Sequence, residues 1–270
     1  MTWRACVLTL RRVSFQVDAT AYGRFMGRWS EPLAATFADF AQVEAGQSAL
    51  DVGCGPGALT AELVRRLGAS AVAAVDPSPP FVAAARERLP GVAVDRAGAE
   101  RLPFADRTFD RVLAQLVVPF LARPTAGLAE MVRVVRPGGL VAACAWDHAG
   151  GSSPLSLFWR AVADLDPAAH DESQGAGTAE GQLATMLTAA RLREVRAGRL
   201  TLRLGFDDFE DWWSPFALGV GPAGDYLAGL DARRRERLRR HCAELLPDGS
   251  FSIEATAWAA AGRREGGLGR

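Results

Sequence analysis

The 270 residues contain no lysine and no asparagine, and Ile253 is the only isoleucine. All three residue types have A/T-rich codons, so the bias is that of a G/C-rich genome of bacterial type. The chemical consequence is sharper. Without lysine there is no Schiff base to pyridoxal phosphate, no P-loop lysine and no kinase-type phosphate lysine. Cysteine and histidine are also scarce. Cys6, Cys54, Cys144 and Cys242, with His148, His170 and His241, stand at no metal-ligand spacing, and four cysteines in a chain this long make no disulfide framework. A reducing cytoplasm and no structural metal are expected. No apolar run approaches the ~18 residues of a membrane span. An excess of either charge is missing too: 31 acidic residues balance 31 arginines, giving a formal net charge of zero. A chain built to hold nucleic acid or an anionic membrane would usually carry a basic surplus.

What is present is a folded composition, 49% hydrophobic and 23% charged. Met1 to Phe15 is Arg-rich and acid-poor and superficially resembles a transit peptide, but its apolar stretch is short and interrupted. Residues 1–20 are expected to be a poorly ordered extension and residues 21–45 a helical lid segment. From Ser48 strands and helices alternate. Ser48–Val52, Ala71–Val75, Val92–Val94 and Leu140–Ala145 read as strands, and Phe109–Val117 contains another. Ala58–Leu67, Ser78–Leu89 and Pro124–Val135 read as helices, with Ser78 able to cap its own and Pro137-Gly138-Gly139 forming a turn. Such alternation implies parallel pairing with right-handed crossovers. Further on, Ser153–Leu165 and Gln182–Ala190 read as helical, while Val195–Phe206 and Phe251–Ala261 alternate like strands with one polar face. Between those two, residues 207–249 read as a helical cap inserted into a core of 46–206 and 250–262.

The most informative stretch is Asp51-Val-Gly-Cys-Gly-Pro-Gly57, which leaves a strand and opens a helix. Alternate glycines let the backbone approach a ligand and offer amide N–H groups at a helix N-terminus, beyond the strand ends where open parallel sheets bind ligands. Two residues choose between ligands. Asp51 would repel a pyrophosphate and hold a cationic amine, and Pro56 has no N–H to give a phosphate. A nucleoside with a positively charged tail fits better than a dinucleotide. Asp76 ends the second strand, 19 residues after Gly57, where a carboxylate can accept both hydroxyls of a ribose.

Leu50-Asp-Val-Gly-Cys-Gly-Pro-Gly-Ala-Leu59, Val75-Asp-Pro-Ser78, the run Gly98 to Asp110 and Val134-Val-Arg-Pro-Gly-Gly-Leu140 together resemble the class I S-adenosylmethionine-dependent methyltransferases, most of all the branch with the ubiquinone/menaquinone C-methyltransferases. Tyr22–Ser30 and Phe158–Asp166 also look like bacterial members of that family. The resemblance implies an α/β fold: a doubly wound, mostly parallel, seven-stranded Rossmann-like sheet carrying the cap between its last two strands. It implies S-adenosylmethionine as cofactor, with Gly53, Cys54, Gly55 and Gly57 lining it. Asp51 would lie near the methionine ammonium, and Asp76 with Pro77 at the ribose. Ala99 and Glu100 would flank the adenine and Gln115 the methionine part. The family often has Asp where Gly98 stands, so here the backbone or Glu100 has to meet the adenine amino group. Tyr22 and Arg28 are candidates on the lid.

The reaction implied is in-line methyl transfer to a small, apolar or aromatic acceptor, which needs placement and a dry pocket more than a strong base. His148 is expected to be a loop residue without a catalytic task. Phe158, Trp159, Trp212, Trp213 and Phe216 either line the acceptor pocket or glue the cap to the core. Arg233–Arg240, with a local charge of +5, reads as the solvated face of an amphipathic helix rather than an RNA patch. Two other functions remain open: a nicotinamide-dependent oxidoreductase on a similar sheet, and a non-catalytic cofactor- or RNA-binding module.

Overall fold

The computed structural model describes residues 19–266; most of the expected N-terminal extension lies outside them. The described chain opens with helix α1 (Ala19–Tyr22), a π turn (Gly23–Gly27) and α2 (Arg28–Phe40). Ala19 and Thr20, which the sequence assigned to the extension, are helical. Pro32 lies inside α2, so the bond that its missing N–H would make to Arg28 is absent.

Then come β1 (Ala49–Val52), α3 (Ala58–Leu67), β2 (Val72–Asp76), α4 (Pro79–Arg88), β3 (Ala93–Arg96), β4 (Phe109–Gln115), α5 (Pro124–Val134) and β5 (Val135–Trp146). Helices α6 (Ser156–Leu165) and α7 (Gln182–Ala189) lead to β6 (Arg193–Phe206). The cap follows as α8 (Phe209–Trp213), α9 (Gly221–Gly229) and α10 (Ala232–Glu244), and β7 (Phe251–Arg263) closes the chain. The seven strands form one sheet in the order β3-β2-β1-β4-β5-β7-β6. The first five run parallel, and β7 lies antiparallel to both β5 and β6. Strand order reverses beside β1, which opens a crevice at the carboxyl ends of β1 and β4.

Burial explains the strand sequences. Every residue of β1 and β2 is buried, as helices on both sheet faces require. Edge strand β6 is largely exposed on one face. It carries Arg193, Arg196, Arg199 and Arg203, charges that oppose edge-to-edge pairing with another chain. The expected Pro137-Gly138-Gly139 turn is instead a bulge within β5. Val135 pairs with Phe109 and Leu140 with Arg111, so the extra residues loop out opposite Asp110. Arg136 then reaches Asp110 at 2.9 Å.

The cap is bound by its aromatics. Phe158 stacks on Phe216 with centroids 4.6 Å apart, Trp212 meets Phe216 at 4.9 Å, and Phe25 of the π turn meets it at 5.1 Å. All five expected pocket aromatics are buried in one core cluster with α2. They pack on one another, which is the gluing role. Asp208 and Asp231 cap α8 and α10 by accepting from the backbone N–H groups of Asp211 and Arg234. On α10, Leu238 and Cys242 turn inward and most of the arginines are exposed. No described helix is long and apolar enough to cross a membrane. Among the described residues, no group of three or more His, Cys, Asp or Glu is placed to hold a metal.

Candidate functional site

The glycine loop is held by the end of the neighbouring strand. The N–H groups of Gly53 and Cys54 both donate to the Val75 carbonyl, at 2.8 and 2.9 Å. Gly55 N–H donates to Asp76 Oδ2 at 2.9 Å, and Gly57 N–H to the Cys54 carbonyl at 3.0 Å. These amides, expected to face a ligand, are instead engaged within the loop, because parallel pairing brings the end of β2 alongside the end of β1. What faces outward is the start of α3, whose Ala58 and Leu59 line a cleft with Pro56. Gly53 and Gly57 have φ of +72° and +91°, where a side chain is strained. Each is also crowded: a Cβ would stand 2.5 Å from Val117 and 2.9 Å from Leu89, respectively.

The cleft lies where the sheet order reverses. Asp51 forms its floor from β1, with Gly53, Cys54 and Gly55 beside it. Gln115 and Leu116 enter from the end of β4, Tyr22 and Ser30 from the N-terminal segment. Three polar atoms in it are buried without a hydrogen-bond partner: Asp51 Oδ1, Gln115 Oε1 and Ser30 Oγ. The other groups on two of these side chains are fixed. Asp51 Oδ2 accepts from Thr60 Oγ1 at 2.6 Å, and the Gln115 amide donates to the Ser30 carbonyl at 2.9 Å. Burial, reinforced by the nearby Asp76, raises the Asp51 pKa to about 7 against the Thr60 hydrogen bond.

The remaining predicted residues divide. Asp76 stands behind Gly55, accepting also from Ser78 N–H at 2.8 Å. Burial raises its pKa, and the two backbone donors oppose that rise. A carboxylate accepts about four hydrogen bonds, so two sites stay available. Ala97 N–H reaches the Asp76 carbonyl at 3.2 Å, which brings the Ala99–Glu100 loop near the end of β2. Pro77, Ala99 and Glu100 do not line the cleft. Ala99 is buried against Gly127, and one Glu100 oxygen accepts from Arg123 N–H at 3.3 Å. Tyr22 does line it, edge-on to Phe81, and its phenol is pushed well above its ordinary range by burial and by Asp76. Burial followed by Asp51 and Asp76 raises the Cys54 thiol likewise, which suits a packing residue and disfavours a nucleophile. His148 is half-buried outside the cleft, and burial lowers its pKa to about 4.

Arg28 is the displaced prediction. Its guanidinium pairs with Asp211 of the cap at 2.7 and 3.1 Å and lies over the Phe206 ring at 4.7 Å. It clamps α2 to the cap and does not reach the cleft. Arg28→Ala is expected to lower stability by about 1 kcal/mol, roughly 2–4 °C in melting temperature, with S-adenosylhomocysteine affinity unchanged in calorimetry. Five cleft residues were not expected to touch the cofactor: Pro56, Ala58 and Leu59 of the glycine motif, and Ser30 and Leu116. Ser30 ends the run Tyr22–Ser30, but its link to Gln115 crosses 85 positions. Leu116 has φ +62°, an unusual conformation for a branched side chain that often marks a functional turn.

Comparisons with known proteins agree with this geometry. The family model described as "Methyltransferase domain" matches residues 50–143. A trans-aconitate 2-methyltransferase of Methylobacterium nodulans is 33% identical over 150 residues, 56% of this chain and 57% of that protein. The chain spans less than two thirds of the length of the curated relatives it matches. Among solved structures, the YcgJ protein of Bacillus subtilis superposes with a TM-score of 0.56 at 16% identity, covering 87% of this chain and 98% of that one. Phosphoethanolamine N-methyltransferase 2 of Haemonchus contortus, solved with S-adenosylhomocysteine, has a TM-score of 0.56 at 17% identity, covering 92% of this chain and 57% of that one. Residues 50–143 thus match a methyltransferase domain, and the sheet around them has the Rossmann-like fold of the solved methyltransferases.

Proposed function

We propose that the cleft holds the amino acid end of S-adenosylmethionine and that the protein transfers the cofactor's methyl group to a small-molecule acceptor. One observation carries this reading: three buried oxygens without partners, on Asp51, Gln115 and Ser30, line one small cleft. An ammonium has three N–H donors and a positive charge, which matches that set. A pyrophosphate, with acceptors only, would meet Asp51 unfavourably, and this weighs against a nicotinamide cofactor. Asp76 and Pro77 would hold the ribose, and Ala99 and Glu100 the adenine, in line with the strand-end order β1, β2, β3.

The bound cofactor supplies a sulfonium methyl that is already activated for displacement. The chain's part is to position it and keep water out. Gln115 and Leu116 form the β4 side of the cleft. Tyr22 stands on a four-residue helix followed by a π turn, and that segment has to shift to admit the whole nucleoside and then close over it. Because the cap aromatics fill one another rather than the cleft, the reading stays at a small acceptor and does not require an aromatic one. The three described cysteines are free and buried, in keeping with a reducing cytoplasm.

Calorimetry with S-adenosylhomocysteine and its deaminated analogue tests the carrying observation. The parent ligand is expected to bind about 100-fold more tightly, as loss of a buried charge partner implies. No binding of either ligand, or equal binding of both, would overturn the reading. Incubation with metabolite extracts and S-adenosylmethionine should then yield a product heavier by one methylene.

A further inference from the structure

A second cleft opens on the other face of the sheet, between α7 and the β6–β7 hairpin, and the cofactor reading makes no use of it. Its volume, about 320 Å³, lies within the range of small-molecule sites. Trp258 stands on β7 directly across from Arg199 on β6, and both line the cleft. The Trp258 indole N–H is buried and has no hydrogen-bond partner. A buried donor left unpaired costs about 1–3 kcal/mol, and such groups are rare enough in native proteins that each calls for a reason.

Arg199 extends an exposed guanidinium, and among the described residues neither a carboxylate nor a carbonyl meets it. Glu180, two residues before α7, is exposed and equally unpaired. Two opposite charges therefore line one cleft without meeting each other, with Leu183 and Ala184 as apolar wall beside them. A simple anion would face Glu180, and a simple cation would face both Arg199 and the indole N–H. Only a ligand with both charges satisfies all three groups.

We infer that this cleft binds a small aliphatic amino acid in its zwitterionic form. The carboxylate turns to Arg199 and the Trp258 N–H, the ammonium to Glu180, and the hydrocarbon lies on Leu183 and Ala184. The site is separate from the cofactor cleft, so it stands whether or not methyl transfer is confirmed. Titration calorimetry with L-leucine and 6-aminohexanoate, which differ in charge separation, is compared with hexanoate and hexylamine. At least one zwitterion is expected to bind about tenfold or more tightly than both singly charged probes. Arg199→Met, Glu180→Gln and Trp258→Phe should each weaken that binding by about tenfold, while thermal melting of the same samples reports an intact fold. Failure of both zwitterions to bind would overturn the inference. So would hexanoate or hexylamine binding as tightly as the zwitterions, or variants that leave the affinity unchanged.

Discussion

S-adenosylhomocysteine should bind Asp51→Asn at pH 8 about 100- to 1,000-fold more weakly than the parent, the range expected when one partner of a buried, hydrogen-bonded charge pair is removed. The same variant separates two effects of pH. Asp51 is 1% exposed, and its pKa is raised from 3.8 to about 7, first by burial and then, against the Thr60 hydrogen bond, by Asp76. An ammonium in the cleft stabilises the carboxylate and pulls that value back down. Ligand binding below neutrality must therefore expel a proton. Affinity should rise with pH from about 4 to about 7, by up to tenfold per unit, and then level off. In Asp51→Asn that slope should vanish.

The ligand-free protein should show the opposite trend. A carboxyl whose folded pKa lies above its unfolded value contributes stability that is complete below the unfolded pKa. That stability is lost as pH rises through the folded one. Three pKa units correspond to roughly 4 kcal/mol. Without ligand, the parent should lose stability between about pH 4 and 7, while Asp51→Asn loses less and melts higher at pH 8. A parent protein whose ligand affinity is flat across this range would refute the assignment of the ammonium to Asp51.

The sheet was legible because its signals are local. β1 and β2 are short buried runs ended by glycine or by an acid–proline step, and α3 starts where the spacing of Leu59, Leu63 and Leu67 predicts. Asp51 and the glycines could be placed for the same reason, being consecutive residues on one strand-to-helix turn. What the sequence concealed depends on distant partners. Arg28 looked like a lid residue until the fold set Asp211, 183 positions away, against it. Glu100 looked wholly free to meet an adenine, but one of its two oxygens accepts from Arg123 N–H at the start of α5. The Pro137-Gly138-Gly139 signal correctly marked irregular backbone. Its form as a bulge depends on Asp110 and on the C-terminal Arg264, which exchanges backbone hydrogen bonds with Gly138 and Gly139. The loop amides were misjudged for a similar reason: a glycine-rich turn looks open in sequence, and only the pairing of β1 with β2 shows Val75 and Asp76 accepting its N–H groups.

Gly53→Ala is expected to destabilise the protein by about 2–4 kcal/mol, in two separable parts. The backbone part, about 1–2 kcal/mol, comes from holding an L-residue at positive φ. The packing part comes from a Cβ that would stand 2.5 and 2.8 Å from the two Val117 methyl carbons, far inside contact distance. Gly46→Ala isolates the first, because Gly46 has φ +86° with nothing within 4 Å of its would-be Cβ. Its loss should stop at the backbone cost. Adding Val117→Ala to Gly53→Ala should recover much of the second part and none of the first, so the double-mutant cycle should show favourable coupling. The functional loss should exceed the stability loss. Val117 follows Leu116, which lines the cleft in a left-handed conformation, so a displaced Val117 moves the β4 wall opposite Asp51. Affinity for S-adenosylhomocysteine should therefore fall at least tenfold in Gly53→Ala and return in the double variant. Equal melting losses for Gly46→Ala and Gly53→Ala would mean that Val117 yields freely, and that the glycine serves the backbone alone.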